Sequence, residues 1–183
     1  GYLPFSLFDG DRVVASLCVY SLRGVIDGVP KRIGQFSGVG TAPELRRRGL
    51  NRWLTERALA DLGPTHDGFF LFSAPDAVPF YRRCGFESVM QRAAVIRVEA
   101  PLAKPGARCL DLDDGDDLDL LVRLARERTP VSHALAAHSV NLLMFHVLYD
   151  FRDRVWYLPD LDVAVLFGVA DGRLTLVDVI GPQ

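Results

Sequence analysis

The residues best suited to chemistry in this chain are Arg46, Arg47, Arg48 and Gly49, which stand between a strand-like run ending near Val39 and an amphipathic helix beginning at Leu50. The first amides of a helix have no partner inside it, and the helix dipole places positive charge at the same end, so a basic, glycine-containing entry suits an anion. On composition alone the three arginines could extend the solvent face that Arg52, Glu56, Arg57 and Asp61 fill along the helix. Two features favour a phosphorylated ligand instead: the run precedes the helix, and it carries a glycine where backbone must come close. Just upstream, Gly38-Val39-Gly40 permits a bulge that would splay the strand and leave main-chain amides facing a ligand carbonyl; two glycines easing a twisted strand is the plainer alternative.

The lysine-bearing phosphate loop of nucleotide hydrolases and the Gly-x-Gly-x-x-Gly turn of dinucleotide enzymes are both missing from the sequence. Arg46-x-x-Gly49-x-Asn51 instead resembles the Gln/Arg-x-x-Gly-x-Gly/Ala loop of the GNAT superfamily of acyl-CoA-dependent N-acyltransferases, with Asn51 standing where that family has Gly or Ala. A second block, Phe69 to Ala74 followed by Ala77-Val-Pro-Phe-Tyr-Arg-Arg-Cys-Gly-Phe86, resembles the next strand and helix of the family, ending in its Tyr-x-x-x-Gly-Phe pattern. The resemblance spans roughly residues 35 to 90. It implies acetyl-CoA as co-substrate, its diphosphate on Arg46, Arg47, Arg48, Gly49, Leu50 and Asn51, its thioester along Gly38, Val39, Gly40 and Thr41, and Ser73 near the pantetheine arm. It also implies that Tyr81 lies by the coenzyme sulfur, where a phenol can protonate a departing thiolate. As bare sequence, the pair Phe80-Tyr81 reads as core and Ser73 as a strand-end hydroxyl satisfying nearby backbone.

No general base is legible. Glu44 lies in the cradle loop and His66 in the polar turn Thr65-His-Asp-Gly68, both with the look of surface residues, while His133, His138 and His146 have no acidic partner at a ligand spacing. The cysteines Cys18, Cys84 and Cys109 are odd in number and far apart, which argues for neither a disulfide framework nor a zinc site, and Cys84 reads as a small buried hydrophobe. A net charge of -2 gives no support to nucleic-acid binding, and no apolar run approaches the length of a membrane span. The expected setting is cytoplasmic, with no metal.

Elements must hold these residues in place. With 183 residues and 49% hydrophobic content the chain can build a real core. Asp9-Gly10 and Asp27-Gly28 read as hairpin turns of an antiparallel meander, and the run from the strand near Val39 through a helix at 48 to 62 to an apolar strand at Phe69 to Phe72 reads as a right-handed βαβ crossover. Asp76 is the expected cap of the next helix, Gly85 its end, Phe86 to Glu99 an extended stretch, and the Pro/Gly-rich connector at 100 to 106 the domain boundary. Beyond it, Asp116 or Asp117 should cap a helix running through Arg128; a very apolar helix from Ser139 to Tyr149 should be buried between layers or in a subunit contact; strands should follow at 155 to 158, 163 to 169 and 173 to 180.

The expected fold class is therefore α/β with a mixed sheet. Residues 1 to 100 form a GNAT-like acyl-CoA-binding domain lacking its opening elements, and 101 to 183 a second GNAT-like half that is either a related tandem domain or a supplier of those elements to the same sheet. The expected activity is transfer of an acetyl group to a primary amine, on a small molecule or a peptide, by direct attack in a ternary complex. Alternatives are a noncatalytic acyl-CoA-binding or regulatory module and a structural interaction domain. A homodimer through the late strands or the apolar helix fits the sequence.

Overall fold

The computed structural model describes residues 1–90, 95 and 106–182. Contacts divide the chain into two compact units, residues 1–94 with 133–137 and residues 95–132 with 138–183. In the first, β1 (Tyr2–Asp9), β2 (Arg12–Ile26) and β3 (Val29–Thr41) form the meander, helix α1 (Leu50–Leu62) crosses over, and β4 (Gly68–Phe70) returns parallel to β3. Helix α2 (Val78–Arg83) follows. The Asp27-Gly28 loop has positive φ at both residues, as a two-residue hairpin turn needs, while the first hairpin closes on Gly10 and Asp11 with Asp9 paired to Arg12.

Ala15, Leu17 and Val19 alternate along β2 onto one sheet face, where with Phe36 of β3 they bury Leu54 and Ala58 of α1. The predicted helix is present, but its apolar stripe is rotated: Trp53 is 54% exposed, and Thr55 is buried in its place. Thr55 tolerates burial because its Oγ1 donates to the Asn51 carbonyl at 2.7 Å. Asp76 does not cap the following helix: it lies in a short 3-10 turn, Pro75–Ala77, and α2 begins after it with no side-chain cap. The predicted strand at 69 to 72 is also displaced, ending at Phe70 because β3 and the following chain diverge there. Of the extended stretch expected from Phe86, residues 87–90 pair with no strand; most of the rest, and the connector at 100 to 105, lie outside the described residues.

The short strand β6 (Leu135–His138) pairs with β2 and, all but His138, belongs to the first unit; the second unit contains β5 (Arg108–Cys109), α3 (Gly115–Glu127), α4 (Val140–Asp150), β7 (Val155–Leu158), β8 (Val163–Ala170) and β9 (Arg173–Ile180). Apart from β6 the late strands pair among themselves, in the antiparallel order β5-β7-β8-β9. Leu121, Leu124 and Ala125 of α3 meet Val147, Val155, Ala164, Leu166 and Ile180 in a separate core. The cap of α3 is Asp114, whose carboxylate accepts from the amides of Asp116 and Asp117; Asp117 is instead turned inward, bonded by both terminal nitrogens of Arg108. Helix α4 is not buried all round: Val147 is fully enclosed, but Phe145 and Tyr149 are exposed.

Candidate active site

β3 pairs with β4 only at Ile33, Gly34 and Gln35, whereas on its other edge it stays with β2 as far as Thr41. Past Gln35 one edge of β3 therefore has no strand beside it among the described residues. The gap is a cleft of about 310 Å³, lined by Gln35, Phe36, Ser37, Gly38 and Val39 on one wall and by Phe72, Ser73, Ala74, Ala77 and Tyr81 on the other. The register of β2 and β3 slips within this wall: Ser16 faces Gly40 and Cys18 faces Ser37, so Gly38 and Val39 together oppose Leu17. That is the predicted bulge. Gly38 takes φ +59°, a conformation in which a side chain is strained, and the Cys18 thiol beneath it donates to the Ser37 carbonyl at 3.3 Å.

The opposite wall is set by how α2 ends. Gly85 at φ +89° stops the helix, its N–H donating to the Arg82 carbonyl at 3.1 Å and the Phe86 N–H to the Tyr81 carbonyl at 3.1 Å. This doubly bonded cap brings the residue after the glycine back over the helix. Accordingly the Phe86 ring lies 6.0 Å from that of Tyr81 and 5.5 Å from Phe36 of β3, both edge-on. The spacing Tyr-x-x-x-Gly-Phe is thus a device for fixing Tyr81 against the sheet. Burial raises the Tyr81 pKa above that of a free phenol, with the nearby Cys84 adding to the rise.

At the end of β3 the chain runs through the turn Pro43–Leu45, and Arg47 and Gly49 both take left-handed backbone, φ +62° and +82°. Holding a non-glycine residue there costs on the order of 1 kcal/mol. Among the described residues the amides of 47–52 meet no protein acceptor; the first intrahelical bond runs from the Trp53 N–H to the Gly49 carbonyl. Arg46, Arg47 and Arg48 are exposed, and none forms an ion pair among the described residues; Arg46 Nε donates to the Thr41 carbonyl at 3.4 Å. Asn51 turns away from these amides: its Nδ2 donates to the Gly40 carbonyl and to Thr41 Oγ1, each at 2.6 Å.

Residues 5–89 match the family described as the acetyltransferase (GNAT) domain. The first unit is a GNAT domain. Among solved structures, a probable N-acyltransferase from Enterococcus faecalis V583 shares the fold at TM-score 0.67 and 17% identity, over 98% of this chain and 48% of its own. Eis1 from Mycobacterium abscessus does so at 0.64 and 19%, over 99% and 50%. A GCN5-related N-acetyltransferase from Kribbella flavida gives 0.59 and 19%, over 99% and 46%. This chain spans about half the length of those structures. No curated protein matches its sequence.

Within the GNAT domain the predicted residues fall into two groups. Gly38, Val39, Ser73 and Tyr81 line the cleft; Gly40, Thr41 and Arg46 to Asn51 form the helix entrance at the end of the same strand. Ser73 lies beyond β4 rather than in a strand, exposed, with its hydroxyl donating to the Ala74 carbonyl at 3.2 Å. Glu44 is ion-paired with Arg12, which lowers its pKa after the larger effect of its own backbone N–H. His66 bonds Ser21 Oγ at 2.9 Å and stacks on Phe69, so it holds β4 in place. Burial raises the Cys84 thiol, as befits a small hydrophobe. Gln35, Phe36, Ser37, Phe72 and Ala77 were not singled out from sequence; the alternation of β3 and the glycines beside Ser37 are the signal for the first three, whereas nothing local marks Phe72. Among the described residues no group of three His, Cys, Asp or Glu side chains could hold a metal, and no helix is long and apolar enough to cross a membrane.

Proposed function

We propose that the GNAT domain transfers an acetyl group from acetyl-CoA to a primary amine by direct attack in a ternary complex. One observation carries the reading: the bulged, unpaired edge of β3 runs from the Tyr81 cleft to a helix entrance with free amides and three exposed arginines. A diphosphate fits amides 47–52, and a thioester carbonyl fits the opened strand at Gly38 to Gly40. The amine nitrogen attacks the acyl carbon, negative charge gathers on the carbonyl oxygen, the C–S bond breaks, and the thiolate takes the Tyr81 proton. The amine's own proton passes to water. Calorimetry with acetyl-CoA tests the reading: micromolar binding is expected, and replacing Arg47 and Gly49 together should weaken it at least about tenfold while leaving the protein folded. No binding by folded native protein overturns it.

A noncatalytic acyl-CoA-binding role is favoured by one feature, that among the described residues no carboxylate or imidazole lines the cleft. Coenzyme binding without acetylation of any amine in a broad panel selects that role.

A further inference from the structure

Asn51 bonds the first turn of α1 to the end of β3, at the mouth of the loop that joins them and beyond the core contacts of Leu54 and Ala58. Thr41 ends β3, and between it and Leu50 run eight residues of which none is buried and whose 3-10 turn has no side-chain cap. Across that loop the Asn51 amide bonds the Gly40 carbonyl and Thr41 Oγ1 at 2.6 Å each. A carbonyl can only accept, so the atom facing Gly40 must be the amide nitrogen, which leaves Oδ1 buried with no partner. The strut is anchored from behind, because Thr55 Oγ1 donates to the Asn51 carbonyl from a fully buried position beside the core residue Leu54. Its far end sits two residues from the bulge at Gly38.

We infer that Asn51 is a positioning residue that sets the distance between the diphosphate cradle and the acyl strand. The inference rests on the proposed use of these two places by one acetyl-CoA. A ligand gripped at both ends gains from their fixed separation, because the second contact is then made at high effective concentration; a ligand that fills the cradle alone gains nothing. A glycine or alanine here has no atom to reach β3. The asparagine also leaves the anion space open, since its side chain lies against the strand.

The experiment compares two probes by calorimetry on the native chain and on Asn51→Ala. ADP supplies a diphosphate to the cradle without a thioester, and acetyl-CoA spans both places. The expected result is acetyl-CoA weakened about five- to tenfold with ADP unchanged within about twofold. Thr41→Val, which removes one of the two bonds and keeps the side-chain shape, should move acetyl-CoA the same way by about two- to threefold. Equal weakening of both probes overturns the inference, because a residue that merely shapes the cradle or the local fold would act on both; so does no change in either. Native protein that binds neither probe overturns the proposed coenzyme site itself, a separate result.

Discussion

Tyr81 is held by its neighbours, so its hydroxyl can be removed without moving its ring. The edge-on contact with Phe86 and the backbone bond from the Phe86 N–H to the Tyr81 carbonyl survive in Tyr81→Phe. Burial raises the phenol's pKa, and the sign matters: a group raised above its ordinary value near 10 keeps its proton throughout the neutral range and is a donor there, never a base. Tyr81→Phe should therefore lower kcat about 100-fold and leave acetyl-CoA affinity within about twofold, as expected when a proton donated only in the transition state is lost. Steady-state kinetics with calorimetry checks both halves. Unchanged turnover removes Tyr81 from the reaction, and weakened coenzyme binding would make it a wall of the cleft only.

The bulge in β3 is the element that makes the cleft, and Gly38 is where it is most exposed to test. An alanine at φ +59° pays about 1–2 kcal/mol for the left-handed backbone, and its Cβ would sit in ordinary contact 3.5 Å from Cys18 Sγ. Gly38→Ala should thus lower the Tm by roughly 5–10 °C, but a strand that flattens to relieve the strain also withdraws amides from the acyl carbonyl. The expected result in native conditions is kcat reduced about tenfold with ADP affinity unchanged; loss of stability without loss of turnover would mean that the bulge does no chemistry. Such elements were legible where backbone geometry is written into residue type: Asp-Gly turns, Gly85 after α2, the paired glycines of β3. They were not legible where side chains compete. Asp114, Asp116 and Asp117 all qualify as caps, and only the arrival of Arg108 turns Asp117 inward and leaves the cap to Asp114. Thr55 replaces Trp53 on the buried face because its hydroxyl finds a carbonyl within the helix, and no periodicity of apolar residues records that. The site was read from its glycines and arginines, whereas the role of Asn51 needed the position of β3.

At the scale of the whole chain, two cores stand in separate units, and each carries one tryptophan, Trp53 in α1 and Trp156 in β7. Fluorescence of a Trp53→Phe protein therefore reports the second unit alone. That unit is tied together by arginine–carboxylate pairs: both terminal nitrogens of Arg123 bond Asp162, at 2.7 and 2.9 Å, and Tyr157 donates to the same carboxylate at 2.9 Å. Arg123 first, then Tyr157, lowers the Asp162 pKa to about 2, while Arg108 and then the Asp111 N–H lower that of Asp117. A carboxyl depressed in the folded state binds its proton more readily when unfolded. Its contribution is whole above the unfolded pKa near 3.9 and disappears as pH falls towards the folded value. The second unit should accordingly lose stability between about pH 5 and pH 2, seen as a falling urea midpoint of Trp156 fluorescence at successive pH values. Asp162→Asn is the discriminating variant, because asparagine tolerates the left-handed backbone of this position, φ +49°, and removes only the charge. It should start from a lower midpoint at pH 6 and fall less steeply between pH 4 and pH 2 than the parent. Parallel curves would show that the acid sensitivity of this unit resides in its other carboxylates and that the Arg123 pair, open to water on both sides, is screened to no effect.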